Sequence, residues 1–307
     1  MESISVVIPS YNEAKALPAL IKLLSKQSFQ PSEIIVVLDG CTDNSFSVLS
    51  EISLSTKSLK IATQENKGRA AARNAGAKLA TGKYLLFLDS DMVPETDLVS
   101  KHLYFLDIYP ESIIAGNQIE PFVHNEHDFL KFKACRRREW IKPYNKNVIR
   151  LAANNIFLTA ANCSMSKNTF EGLGGFDERL TDAEDFDMAM RAMENEISVI
   201  FVSDLIAWHK DPALAGKTIR RMREYRKAHL RLENMKPELV RKYNKYTITA
   251  PKGFKRIAFI IFSRPKWVDY IDNEKLLILP KSLRYRIYSY VLAALGNYNR
   301  DVSLHEN

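Results

Sequence analysis

The 307-residue chain is 46% hydrophobic and 26% charged, an ordinary balance for a globular protein able to bury one large core or two modest ones. Three scattered cysteines (Cys41, Cys135, Cys163) with no C-x-x-C argue against a disulfide framework or a cysteine zinc site, and predict a reducing, cytoplasmic setting. The formal charge of +8 is unevenly divided: residues 1–210 hold 23 basic and 27 acidic side chains, whereas residues 211–307 hold 21 and 9.

That division predicts an acidic catalytic body and a basic tail suited to an anionic surface. The N-terminus carries no basic-then-apolar leader, and no apolar run approaches the ~18 residues of a membrane span. Ile4 to Ile8 reads as a buried strand stopped by Pro9. A helix follows from Glu13 to Lys26, with Leu17, Leu20, Ile21 and Leu24 on one face. A strand (Glu33 to Leu38), a helix opening near Thr42, a short strand (Leu59 to Thr63) and an alanine-rich helix (Gly68 to Leu79) come next. The strand Lys83 to Leu88 then runs into Asp89-Ser90-Asp91.

Residues 113–202 are less regular. Ile156 to Met165 is a candidate strand, Gly172 to Phe176 a turn, and Thr181 to Asp185 opens a helix reaching Glu194. Two short strands follow, Ser198 to Val202 and Leu205 to Trp208. Beyond Asp211 the chain turns helical and basic, led by Lys217 to Glu233. Strands alternating with helices predict an α/β fold with an open, mainly parallel sheet flanked by helices. Ligands bind such sheets outside the carboxyl ends of the strands.

Those ends are polar here. Alternation points Asp89 and Asp91 to one side of the chain, where two carboxylates suit a hard cation and a substrate phosphate. Ordinary turn chemistry is the competing reading. Neither G-x-G-x-x-G nor G-x-x-x-x-G-K-[ST] is present, which disfavours a dinucleotide site and a P-loop. His124-Glu126-His127 is a weaker metal candidate.

The blocks "ISVVIPSYNE", "IIVVLDGCTDNS", "NKGRAAARNAGAKLATGKYLLFLDSD", "GGFDERL" and "AEDFDMAMRA" resemble, in order and spacing, the inverting GT-A type glycosyltransferases of family 2. The resemblance covers residues 4 to about 209. It implies the GT-A (nucleotide-diphospho-sugar transferase) fold, with a catalytic domain over 1–211 (1–110 nucleotide-binding, 111–211 acceptor-binding) and a basic helical region over 212–307.

The resemblance places Pro9, Tyr11, Asn12 and Glu13 around the nucleotide. It makes Asp39 the acceptor of a base's ring N–H, which admits UDP first, with GDP or dTDP as alternatives. Members often carry a second acid just before this position, where this chain has Leu38. Lys67 and Arg73 are expected at the nucleotide, Asp89 at the ribose hydroxyls, and Asp91 on Mn²⁺ or Mg²⁺, with His209 completing the metal site. Asp185 is the expected general base, Glu184 an acceptor contact, and Gly175 part of the acceptor side. Asp182 and Asp187 read as structural, as an N-cap and as the partner of Arg191.

The implied activity is transfer of a sugar from a nucleoside diphosphate to a hydroxyl of a glycan or lipid-linked glycan, in surface polysaccharide assembly. The aromatic-basic helix Phe129 to Trp140, the Lys217 to Glu233 helix and the short apolar runs after Phe254 suggest an anionic membrane surface at the inner face. No motif supports nucleic-acid binding. The alternatives are a sugar-1-phosphate nucleotidylyltransferase, whose Gly-rich loop "PSYNEAKALP" lacks, and a non-catalytic nucleotide- or anion-binding protein.

Overall fold

The computed structural model describes residues 3–121, 127–144, 147–209, 211–243 and 251–298. Its strands are β1 (Ile4–Ser10), β2 (Glu33–Asp39), β3 (Leu59–Gln64), β4 (Tyr84–Leu88), β5 (Met92–Pro94), β6 (Ile113–Ile119), β7 (Val148–Arg150), β8 (Asn162–Ser166) and β9 (Val199–His209). They form one sheet in the order β3-β2-β1-β4-β8-β6-β9-β5, with β7 alongside β9. The sheet is mixed. β1 to β4 are mutually parallel, β6 and β9 share their direction, and β5, β7 and β8 oppose it.

Strand periodicity explains the layering. Val7, Ile35, Val37, Leu85 and Phe87 join one hydrophobic cluster, while Val6, Ile8, Ile34, Val36, Leu86 and Leu88 join another. Successive residues thus point to opposite, equally buried faces, as the near-continuous apolar runs require. The Arg69–Leu79 helix lies on the first face. Its alanines and Gly76 bring it close, since a Cβ at Gly76 would sit 2.4 Å from Val7 Cγ1. The Leu17–Leu24 and Leu98–Ile108 helices cover the second face.

Several boundaries differ from the sequence reading. β1 continues through Pro9 because pairing with β4 ends at Val7, while pairing with β2 runs on to Ser10. The candidate strand over Ile156 to Met165 shrinks to β8, and the residues before it form a loop bordering the cleft. The two short strands after Ser198 are one, β9. β5, β6 and β7 and the Leu98–Ile108 helix lay in stretches whose pattern carried no clear period.

A third hydrophobic cluster forms where Phe129 and Phe132 meet Ile219, Ile271, Tyr288 and Val291. Leu232 and Tyr243 join the first cluster instead. The helices after residue 211 therefore pack into the sheet domain as well as onto one another. The Asp128–Ile141 helix turns Phe129 and Phe132 inward and spends Lys133 on Asp211 (2.5 Å) and Arg137 on the Gln118 carbonyl (2.8 Å), while Arg136, Arg138 and Trp140 stay exposed. His127 caps that helix, its Nδ1 accepting from the Phe129 N–H, while His124 and Glu126 lie outside the described residues.

Candidate functional site

The carboxyl ends of β1, β2 and β4 open onto one cleft. At β2, Asp39 is buried and accepts from Gln64 Nε2 (2.7 Å), Lys67 N (2.8 Å) and Gly68 N (2.8 Å). It caps the approach to the Arg69–Leu79 helix, which Gly68 can enter because its φ of +89° costs glycine little. At β1, Asn12 accepts at Oδ1 from the backbone N–H of Thr42 (2.8 Å) and Asp43 (3.2 Å), tying this end to the loop after β2.

At β4, Arg73 is 2% exposed and forks between two acids, donating to Asp89 Oδ1 (2.7 Å) and Glu184 Oε1 (2.6 Å). Its guanidinium also lies 5.5 Å from the centre of the Phe176 ring. Burial alone would lower the charge on Arg73, but Asp89 and Glu184 outweigh it and hold the guanidinium protonated. Glu184 Oε2 and Arg73 Nε are buried with no hydrogen-bond partner.

The helix carrying Glu184 and Asp185 (Glu184–Glu194) starts from Ala183, a non-glycine residue in the left-handed region with φ of 69°. Such a conformation costs an L-residue roughly 1–2 kcal/mol, and here it sets the direction of the two acids that follow. Burial first, then the Glu184 charge, push Asp185 up to about 7, against the opposing pull of Arg73 and of the Phe186 and Ala160 N–H groups. A carboxylate poised near neutral pH is suited to accept a proton.

Asp91 immediately precedes β5, whose Met92 pairs with His209 at the end of β9. That register brings Asp91 Oδ2 to 3.0 Å from His209 Nε2. Burial pulls His209 down, but the hydrogen bond to Asp91 and the charges of Asp91, Asp211 and Glu120 raise it overall. Among the described residues no three acid, histidine or cysteine side chains are gathered to hold a cation unaided. Asp91 and His209 nonetheless offer an oxygen and a nitrogen donor side by side. That fits Mg²⁺ or Mn²⁺, which bind few protein groups when substrate phosphates supply the rest.

The cleft has two compartments. One of about 520 Å³ is lined by Pro9, Tyr11, Asp39 and Ser90, the other of about 540 Å³ by Asp185, Glu184, Thr159 and His209. Glu13, Arg69, Asp89, Asp91, Asp182 and Arg221 border both and form the neck between them. Asp182 Oδ1 lies 3.8 Å from Arg69 NH1 and 3.3 Å from Arg221 NH2, so one acid bridges two cations. Burial and the Asp91 and Asp43 charges raise Glu13, with Lys217 and Arg69 opposing.

Of the expected residues, the cleft gathers Pro9, Tyr11, Glu13, Asp39, Arg73, Asp89, Asp91, Glu184, Asp185 and His209. Asn12, Lys67 and Gly175 line neither compartment, and Asn12 Oδ1 is taken by the Thr42 and Asp43 backbone. Lys67 is exposed and gives Asp39 its backbone N–H, leaving Arg69 as the cation of this block at the neck. Gly175 lies in a turn against Asn74, where its carbonyl accepts from Arg191 (2.8 Å), away from both compartments. Arg73 lines the second compartment from a buried position, held between Asp89 and Glu184.

Asp182 is no N-cap, since Ala183 holds that position. Asp187, by contrast, is bound by Arg191 (2.8 Å) and Lys236 (2.5 Å) as a structural acid. Sequence reasoning missed Arg221 and Tyr225, which face the cleft from the Ala215–Met235 helix. Their spacing of four was the available signal, hidden among the many bases of that helix.

A model of the glycosyl transferase family 2 domain matches residues 5–174. Streptococcus pneumoniae glycosyltransferase GlyG is 35% identical over 117 residues, 38% of this chain and 39% of GlyG. An Escherichia coli protein, UDP-Glc:alpha-D-GlcNAc-diphosphoundecaprenol beta-1,3-glucosyltransferase WfaP, is 32% identical over 107 residues, 35% of this chain and 42% of WfaP. The matched segments thus span about two fifths of either relative. In three dimensions the chain resembles the mannosyltransferase PcManGT of Pyrobaculum calidifontis, solved with GDP-Man and Mn²⁺. The TM-score is 0.59 at 16% identity, covering 97% of this chain and 87% of that one.

Proposed function

Because the chain belongs to glycosyl transferase family 2 and has the GT-A architecture, we propose that it moves a sugar from a nucleoside diphosphate to a hydroxyl group, inverting the anomeric centre. The observation that carries this reading is Asp185, poised near neutral pH in the compartment that joins, through the neck, the one bordered by Tyr11 and Asp39.

In this reading the nucleoside rests on Tyr11, a residue 52% exposed whose ring offers a flat face, with Asp39 at the base. The diphosphate crosses the neck and takes Arg69 and Arg221 from Asp182. Asp91 and His209 would hold Mn²⁺ or Mg²⁺, which supplies charge neutralisation for the leaving diphosphate. Asp89, fixed by Arg73, receives the ribose hydroxyls. Asp185 takes the proton of the acceptor hydroxyl as that oxygen attacks the anomeric carbon, and the sugar–phosphate bond breaks on the opposite face. Glu184 keeps Asp185 basic through its adjacent charge.

Residues 1–211 act as the catalytic part, and residues 212–307 supply one wall of the cleft. UDP is the first candidate nucleotide, with GDP or dTDP as alternatives. The acceptor is a glycan hydroxyl on a lipid carrier, reached from the cytoplasmic side of the membrane in surface polysaccharide assembly. WfaP, named for a diphosphoundecaprenol acceptor, supports that choice. Incubation with UDP-, GDP- and dTDP-sugars and Mn²⁺ should release one nucleoside diphosphate and stop in EDTA. Turnover that persists in EDTA would remove the metal from the mechanism. Pyrophosphate release from a nucleoside triphosphate and a sugar 1-phosphate would move the protein to another reaction class.

A further inference from the structure

Among the described residues no helix is long and apolar enough to cross a membrane. The Phe254–Phe262 helix is nevertheless apolar on two sides. Its inner side is fixed to the fold, with Phe262 stacked on Tyr290 at 5.5 Å between ring centres and Phe259 edge-on to Tyr298 at 4.7 Å. Its outer side presents Ile257, Ile260 and Ile261, which are 55%, 58% and 45% exposed. Positions i, i+3 and i+4 lie along one stripe of a helix. Three half-bare isoleucines there expose apolar area that an isolated chain has no reason to keep in water.

The flanking charge is of one sign. From Lys252 to Lys266 the sequence holds Lys252, Lys255, Arg256, Arg264 and Lys266 and no acidic residue. Behind the helix, on its Phe259 side, a groove of about 1350 Å³ holds Arg136 and Arg286 beside one acid, Glu139. Apolar residues on one helix face and bases around it are the requirements of a helix lying in a lipid interface. A second copy of the chain is the poorer occupant, because a two-fold contact would set these bases against themselves.

We propose that the Phe254–Phe262 helix docks the protein on an anionic lipid surface, its isoleucines entering the headgroup boundary and its bases meeting lipid phosphates. The surface goes beyond the transfer reading and moves the membrane contact away from the Asp128–Ile141 and Ala215–Met235 helices. On those helices Lys133 and Arg137 serve the interior, and Lys217 and Arg221 line the cleft. Each base near such a surface contributes about 1 kcal/mol, so the attachment is reversible and falls with salt.

The test is co-sedimentation of the full chain with vesicles of phosphatidylcholine alone or mixed with phosphatidylglycerol. The wild type should pellet with the anionic vesicles only. An Ile257→Ser/Ile260→Ser/Ile261→Ser variant should lose at least tenfold in partitioning, and a Lys255→Glu/Arg256→Glu variant should lose a similar factor. Both variants should keep wild-type nucleotide binding and melting temperature, so a failure here leaves the transfer reading standing. Equal pelleting of the wild type and both variants would overturn the proposal. So would a dimer in sedimentation velocity that the serine variant abolishes, since that makes the stripe a contact between copies.

Discussion

Replacing Asp185 with asparagine should cut sugar transfer about a thousandfold while leaving nucleoside diphosphate affinity within a factor of two to three. The amide is nearly the same shape but cannot take the acceptor's proton. The same substitution should make the protein more stable. The Asp185 carboxyl sits near 7 in the fold, well above its ordinary 3.8, because burial and Glu184 resist its charge. A carboxyl raised in this way costs stability that grows as pH climbs from about 4 to 7 and is complete above 7. Asparagine removes that cost, so the melting temperature should rise by several degrees at pH 8 and stay unchanged near pH 4. For the wild type, kcat/KM should climb tenfold per pH unit below about 7 and level off above it. A structural Asp185 would show the opposite pattern, with stability lost and turnover kept.

Arg73→Ala should be the most damaging single change to the fold of the site. It would strand Glu184 and Asp89 without their shared cation, and breaking a buried pair in this way typically costs about 3–5 kcal/mol. In a protein of this size that corresponds to a fall in melting temperature on the order of 10 °C. Arg73→Lys should recover little, because one ammonium cannot copy a planar fork that reaches two carboxylates at 2.7 and 2.6 Å. Arg69→Gln, one helical turn away and half exposed, should leave the melting temperature almost untouched while weakening the nucleotide. Equal effects at the two positions would show that Arg73 is no pillar. Thermal melts and nucleotide titrations on the three variants decide this.

The contrast between Arg69 and Arg73 shows where sequence reading succeeds and where it stops. Both arginines stand in one motif, and spacing tells that they share a helix side. Only the two acids and the Phe176 ring around its guanidinium make Arg73 a buried tie, while Arg69 stays at the neck. The parallel half of the sheet was legible because its strands are buried on both faces and alternate with helices.

β5, β6 and β7 were not legible. Two have only three residues, and the third, at Ile113–Ile119, passes through Gly116 and Asn117, which blur any period. The family resemblance and the α/β class stand. Lys67 and Gly175 went astray for a shared reason. Motif position fixes backbone geometry, a loop N–H in one case and a turn in the other, and does not say which way a side chain faces. On the basic helices, likewise, a count of charges cannot tell Arg221 on the cleft from Arg137 on a carbonyl.

Calorimetric titration of the full chain with UDP, GDP and dTDP, with and without Mn²⁺, probes the cleft most directly when paired with Asp91→Asn. One of the three should bind in the micromolar range with Mn²⁺ present, at least tenfold more weakly without it, and no better with the cation in the Asp91→Asn protein. Binding that ignores both Mn²⁺ and Asp91, or no binding by any of the three, would contradict the assignment of this cleft to a nucleotide-sugar.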